Sequence, residues 1–208
     1  MTLKSILIAG LVGALIATLF LHYRTKWLSS FDFELVTPPV PQTVLAQVRA
    51  AEERYYASRG LPRRLAEEAE DIAAFLSPAL VYRANLSVGP YRIKAATIEE
   101  LLPFAIEEGY LRGVSDEEGR ALRAVAYFSE FPGLSTWGAA VVLEHLRQRH
   151  PQLRALDWAT IAADPRLVAK LYSGYMGAGG AWEAWESDLE PGPEAKRRFG
   201  LTTEGAAS

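Results

Sequence analysis

Carboxylates are the groups that this sequence offers for chemistry, because the alternatives are absent or badly placed. There is no cysteine, which removes thiolate nucleophiles, thiolate metal sites and disulfides and leaves the redox compartment open. The three histidines, His22, His145 and His150, do not stand at metal-ligand spacing, and no His-Glu-x-x-His occurs. No metal and no cofactor is therefore expected. Among the acids, Glu70 and Asp71 precede a shaped loop, and Glu52 and Glu53 sit in the helix before that. A carboxyl that works as a general acid must hold its proton near neutral pH, which an apolar pocket achieves by penalising the ionised form. Of Glu70 and Asp71, Glu70 has the longer arm and reaches further. The same two residues also read as a solvated charged face beside Arg63 and Arg64.

The loop runs Ser87-Val88-Gly89-Pro90-Tyr91-Arg92-Ile93-Lys94-Ala95-Ala96-Thr97. Gly89 has backbone freedom that no Cβ-bearing residue has, while Pro90 fixes its own φ and biases Gly89 towards extended geometry, so the pair makes a defined turn. Thr97, with Glu100 three residues later, forms a capping box that opens a helix carrying Ile98, Leu101 and Leu102. Arg83 and Asn85 stand just before the loop as hydrogen-bonding groups, although Asn85 and Ser87 can equally serve turn backbone. Further on, Asp164-Pro165-Arg166 opens a helix that ends in Lys170-Leu171-Tyr172-Ser173-Gly174. Gly177-Ala178-Gly179-Gly180 is not a phosphate loop, because no strand precedes it and no Lys-Ser/Thr follows. It breaks the helix so that Trp182 and Trp185 can fold back.

These residues carry a resemblance. The order Ser-x-Gly-x-x-Arg-Ile-x-x-x-Thr resembles the loop of lysozyme-like lytic transglycosylases, where Ser, Gly and a Gln lead into a Thr-Ala-started helix. Lys170 to Gly174 is similar to that family's Ala-Tyr-Asn-Gly element, and Trp137-Gly138-Ala139-Ala140 to Leu146 is similar to the helix before it. Arg92 stands where the family usually has Gln, and Ser173 where it usually has Asn. Ala73-Ala74-Phe75-Leu76, where the family's catalytic Glu closes a helix, holds no acid. The resemblance implies a lysozyme-like helical domain that binds peptidoglycan glycan strands and cleaves them with one acid/base carboxylate, Glu70. It also implies a groove shaped by Arg83, Ser87, Gly89, Tyr91 and Arg92 on one side and by Tyr172, Ser173 and Gly174 on the other. Tyr91, Trp137, Tyr172, Tyr175, Trp182 and Trp185 are available to stack on sugar rings or to fill the core. The alternative function on the same fold is a non-catalytic, membrane-anchored scaffold or interaction domain of a cell-envelope complex, which the missing Glu favours. A third is an unrelated helical fold with its helices in similar order.

The elements that must position these groups are helices. Val44, Val48, Ala51 and Tyr55 recur at helical spacing within Thr43–Ser58, and Leu65, Ala69, Ile72, Ala73 and Leu76 do so in the next helix, which Ser77-Pro78 ends. Pro103 is expected to divide the helix after the loop. Ser115-Asp116-Glu117-Glu118 opens a helix through Phe128, Ser135 caps one that His150-Pro151 closes, and Asp157 and Asp164 cap two more. No stretch alternates with period two, so the expectation is all-α.

Before this domain, Ile6 to Leu21 carries no charge, and Tyr23, Arg24, Lys26 and Trp27 flank it as an interfacial belt would, which favours an uncleaved transmembrane anchor over a signal peptide. Ala9, Gly13 and Ala17, beside Gly10, Ala14 and Thr18, form a small-residue ridge that would suit a homodimer through the anchor or reflect only the Gly and Ala content of single-pass helices. Flank charge does not decide orientation; the resemblance implies a soluble domain on the cell-wall or periplasmic side. The expected organisation is an anchor at 1–27, a Pro-rich linker at 28–42, the lysozyme-like domain at 43–190 and a partly ordered tail at 191–208. The net charge of −3 and the absence of a basic stripe exclude a nucleic-acid partner.

Overall fold

The structure is a computed structural model that describes residues 3–29, 33–58, 60, 65, 68–70, 72, 78–85, 87–114, 132–177 and 182–201. Its helices are α1 (Leu3–Ser29), α2 (Gln42–Ala57), α3 (Pro78–Ala84), α4 (Ala95–Glu107), α5 (Pro132–Arg149), α6 (Pro151–Arg154), α7 (Trp158–Ala163), α8 (Pro165–Tyr175), α9 (Trp182–Ser187) and α10 (Pro193–Phe199). Four two-residue strands pair antiparallel: β1 (Glu34–Leu35) with β4 (Leu111–Arg112), and β2 (Ser87–Val88) with β3 (Ile93–Lys94). The chain is thus mostly helical, as expected, with small ladders where the helix periodicity lapses. Strands this short show no legible alternation.

The core is built around α8. Leu167, Val168, Ala169, Lys170, Leu171, Tyr172 and Gly174 are all buried, so this helix has almost no solvent face. It packs against α2, α5, α7 and α10. In α2 the buried stripe is Val44, Leu45, Val48, Ala51 and Glu52, a helical spacing of the kind that faces a core. One member of that stripe is a carboxylate. Close approach of the helices depends on Gly174: a Cβ there would stand 2.8 Å from two ring carbons of Trp185 and 3.0 Å from a Leu146 methyl. Trp185 has folded back onto α8, and its indole N–H donates to the Lys170 carbonyl at 3.1 Å.

The local end signals are realised where they are strictly local. Asp157 Oδ1 accepts from the Thr160 amide at 2.7 Å, and Asp164 Oδ1 from the Arg166 amide at 2.8 Å, with Pro165 at the first turn of α8. Three expectations are corrected. α4 begins at Ala95, so Thr97 is inside the helix; the N-cap position is Lys94, without a side-chain cap bond, and the Ala96 amide donates instead to Asn85 Oδ1 at 2.9 Å. α4 also continues through Pro103. α5 begins at Pro132, which leaves Ser135 within it, buried and, among the described residues, with no hydrogen-bond partner for its hydroxyl. His150 ends α5 and caps α6, with Nδ1 accepting from the Gln152 and Leu153 amides and Nε2–H donating to the Asp188 carbonyl at 2.7 Å. The helix expected over Ser115–Phe128 lies outside the described residues.

In α1 the described side chains are those of residues 10–23, and all are exposed. Within the apolar stretch 10–21 the polar residue is Thr18, whose hydroxyl donates to the Ala14 carbonyl at 2.8 Å. Among the described residues no helix is long and apolar enough to cross a membrane.

Candidate functional site

The Tyr172-Ser173-Gly174 segment occupies the last turns of α8, where its three residues meet three different surroundings. Gly174 is in contact with Trp185 and Leu146, inside the packing. The Ser173 hydroxyl donates back to the Lys170 carbonyl at 2.6 Å. Tyr172, fully buried, faces α2, and its hydroxyl donates to Glu52 Oε1 at 2.6 Å. Glu52 is 5% exposed. Its other oxygen, Oε2, is 3.7 Å from Arg198 Nη1, which also donates to the Tyr172 hydroxyl at 2.6 Å. Carboxylate, phenol and guanidinium therefore close a triangle at the junction of α2, α8 and α10.

Aromatic rings wall this triangle. Tyr175 stacks on Tyr172 at 5.9 Å with planes 15° apart, and Phe199 lies 5.4 Å from Tyr172 on another side. The Arg198 guanidinium sits 3.5 Å from the centroid of Tyr55, one turn along α2 from Glu52. Burial first, and then the neighbouring Glu52 carboxylate, push the Tyr172 hydroxyl far above the ordinary phenol range. Burial does the same to Tyr175, helped by Glu52 and Tyr172. Both phenols are thus fixed as proton-bearing donors. The Tyr175 hydroxyl donates to the Tyr91 carbonyl, which ties α8 to the Ser87–Lys94 hairpin.

That hairpin is more strained than its sequence suggests. Ser87 pairs with Lys94 and Val88 with Ile93, and the Arg92 amide donates to the Gly89 carbonyl at 3.0 Å to close the turn. Gly89 has φ +68° and not the extended geometry expected before a proline. Asn85 and Arg92 also lie in the left-handed region, at +49° and +50°, which is uncommon for residues with a Cβ. Arg92 turns its guanidinium over Tyr56 of α2, 5.4 Å from the ring centroid. Tyr91 is buried in the core, Ser87 and Gly89 are half-buried, and Arg83 is exposed at the end of α3. The structure therefore joins the hairpin to α2 and α8 through Arg92–Tyr56 and Tyr91–Tyr175. Glu70 is a half-buried helical residue in a segment whose neighbours are largely outside the described residues.

The carboxylate against Tyr172 is Glu52, which the sequence offered only as an alternative. A signal was present: Val44, Val48 and Glu52 stand four residues apart, so the acid falls on the apolar stripe of its own helix. Arg198 had no such signal. Among the described residues no group of acids and histidines could hold a metal ion. No family model matches the chain, and neither a curated protein nor a solved structure matches it significantly.

Proposed function

We propose that this chain is a membrane-anchored protein that binds peptidoglycan glycan strands and cleaves them with Glu52 as the single acid/base carboxylate. The observation that carries the reading is the buried Glu52 in contact with Tyr172, inside the segment that resembles a lytic transglycosylase element. A general acid needs an environment that penalises its ionised form, and the rings of Tyr55, Tyr172 and Phe199 supply apolar surface there. The Gly89–Arg92 turn, joined to the same helices, forms the neighbouring wall. The apolar, exposed side chains described in α1, with Thr18 satisfied inside the helix, support an anchor in lipid. The domain then faces the cell wall.

A second reading is favoured by one contact. Arg198 beside Glu52 stabilises the ionised carboxylate, which suits a structural ion pair in a non-catalytic scaffold better than a proton donor. Isolated sacculi incubated with the full chain, with Glu52→Gln and with Glu70→Gln distinguish the two, with bound protein and released anhydro-muropeptides both quantified. Release lost in Glu52→Gln alone makes Glu52 the acid, and release lost in Glu70→Gln alone returns the role to Glu70. Binding without release from any form supports the scaffold, and neither binding nor release ends the peptidoglycan reading.

A further inference from the structure

His145 lies half-buried in the seam between α4 and α5, its ring 4.7 Å from that of Phe104 with planes 70° apart. Its situation differs from that of His150, whose two ring nitrogens are both engaged in hydrogen bonds. Among the described residues no hydrogen bond reaches the His145 ring, so its charge is set by burial and by the charges around it.

The seam itself is apolar. Leu101, Leu102 and Ala105 of α4 meet Trp137, Gly138 and Val141 of α5 around a small apolar cavity. Trp137, Val141 and His145 stand four residues apart, so the ring continues the stripe that α5 turns towards α4. A positive charge placed there gives up water. The cavity leaves α4 room to shift that a close-packed seam would deny it. β3 ends at Lys94 and α4 begins at Ala95, so a shift of α4 is passed directly to the Ser87–Lys94 hairpin.

Charged side chains act on the ring from both helices. Arg149, one turn further along α5 and paired with Glu186 of α9 at 2.6 Å, opposes a positive charge there, and Glu100, one turn before Phe104 in α4, favours it. Burial first, and then Arg149, put the ring below the ordinary histidine value of 6.5, with Glu100 acting against them. Neither Tyr110 nor Glu144 changes charge over the same range. The Tyr110 hydroxyl, on a ring 6.2 Å from Phe104, is pushed up by burial and then by Glu144 and Glu108. Glu144 is buried, yet hydrogen bonds from Arg147, Gln148 and Trp158 hold its carboxyl below the usual range. A base depressed in the folded state adds stability that is complete above its unfolded value and is lost as the pH falls through the folded one.

We propose that His145 makes the α4–α5 seam acid-sensitive: a neutral ring holds α4 against α5, and a charged ring, repelled by Arg149 and short of water, loosens α4 and the hairpin continuous with it. The inference goes beyond the proposed function and does not depend on it.

The test uses the full chain in lipid nanodiscs, with His145→Phe and Glu100→Gln forms, between pH about 7.5 and 5, above the range in which unperturbed carboxylates protonate. Exchange at the imidazole C2 position, followed by mass spectrometry, gives the titration midpoint of each histidine. Amide exchange is followed along α4, the hairpin and α8, with the intrinsic pH dependence of exchange divided out. His145 should titrate below 6.5. Protection in α4 and the hairpin should fall about ten-fold for each pH unit of that displacement, while α8 keeps its protection. His145→Phe keeps a ring against Phe104 and has no charge to gain, so its α4 protection should not change with pH. Glu100→Gln, at an exposed position, should lower the midpoint and deepen the loss by the same factor. An equal loss in the parent and in His145→Phe would overturn the proposal, as would a loss shared by α4 and α8 or a parent midpoint at or above 6.5. Should His145→Phe not fold, Glu100→Gln decides: a midpoint that does not fall, or that falls without a matching loss in α4, overturns the switch.

Discussion

The hydroxyl of Tyr172 donates to Oε1 of Glu52 at 2.6 Å, joining two helices whose contributing residues lie 120 apart in sequence. Both groups are buried, so neither has water to fall back on when its partner is removed. Tyr172→Phe keeps the ring and its packing on Tyr175 and Phe199 while deleting the one oxygen shared by Glu52 and Arg198. The expected cost is about 1–3 kcal/mol, the usual range for losing a buried hydrogen bond to a charged group. It should appear as a lower denaturation midpoint at unchanged slope.

Gly174 tests the packing of the same helix from its other side. An added methyl would lie 2.8 Å from Trp185, and the ring is fixed there by its N–H bond to Lys170 and by an edge-to-face contact with His150 at 4.9 Å. Gly174→Ala is expected to destabilise by roughly 1–3 kcal/mol, as overpacking does. Helix propensity acts in the opposite direction by about 1 kcal/mol, so the net loss is moderate. A change in tryptophan fluorescence alongside the midpoint shift would locate the strain at Trp185. An unchanged midpoint would mean that Trp185 gives way freely.

The hairpin offers a matched pair of substitutions with opposite signs. Gly89→Val forces a β-branched residue into φ +68° and should cost on the order of 1–3 kcal/mol. Arg92→Gly, at φ +50°, relieves backbone strain of about 1 kcal/mol and gives up the contact with Tyr56. It should therefore leave thermal stability level or slightly raised. If Arg92 contacts substrate carboxylates, the same variant will bind sacculi more weakly despite its intact fold. Binding equal to that of the parent would confine Arg92 to the turn.

These contrasts show where the sequence was readable. Asp157 and Asp164 cap helices two or three residues away, so their role follows from spacing alone. Asn85, at φ +49°, accepts from the first turn of α4 across eleven residues of sequence, which local pattern does not announce. The helical character was legible because α2 and α8 are periodic, whereas the two-residue ladders are too short to alternate. The site lay between these extremes. Glu52 was visible as an acid on an apolar stripe, but its partners come from positions 172 and 198, brought together by tertiary packing. The segment after Pro191 read as a partly ordered tail because its composition is rich in Pro, Gly and charge. Its helix is held by pairs such as Lys196–Glu190 and Arg198–Glu52 that join it to residues outside itself.

Acid should loosen α10 before it loosens the core. Glu194 accepts hydrogen bonds from Arg197 at 2.7 and 2.8 Å and from Arg198 at 2.7 Å, and these hold its carboxyl down to about 2 from an ordinary value of 4.5. A carboxyl depressed in the folded state adds stability that is complete above its unfolded value. That contribution is lost as the pH falls from 4.5 towards 2, and with it the hold of Glu194 on Arg198. Amide exchange in α10 should therefore accelerate relative to α8 across this window. Glu194→Gln should weaken α10 already at neutral pH and flatten the acid dependence, since the substituted side chain no longer titrates. If α10 and α8 lose protection together in the parent, α10 is part of the same cooperative unit as the core and does not open independently.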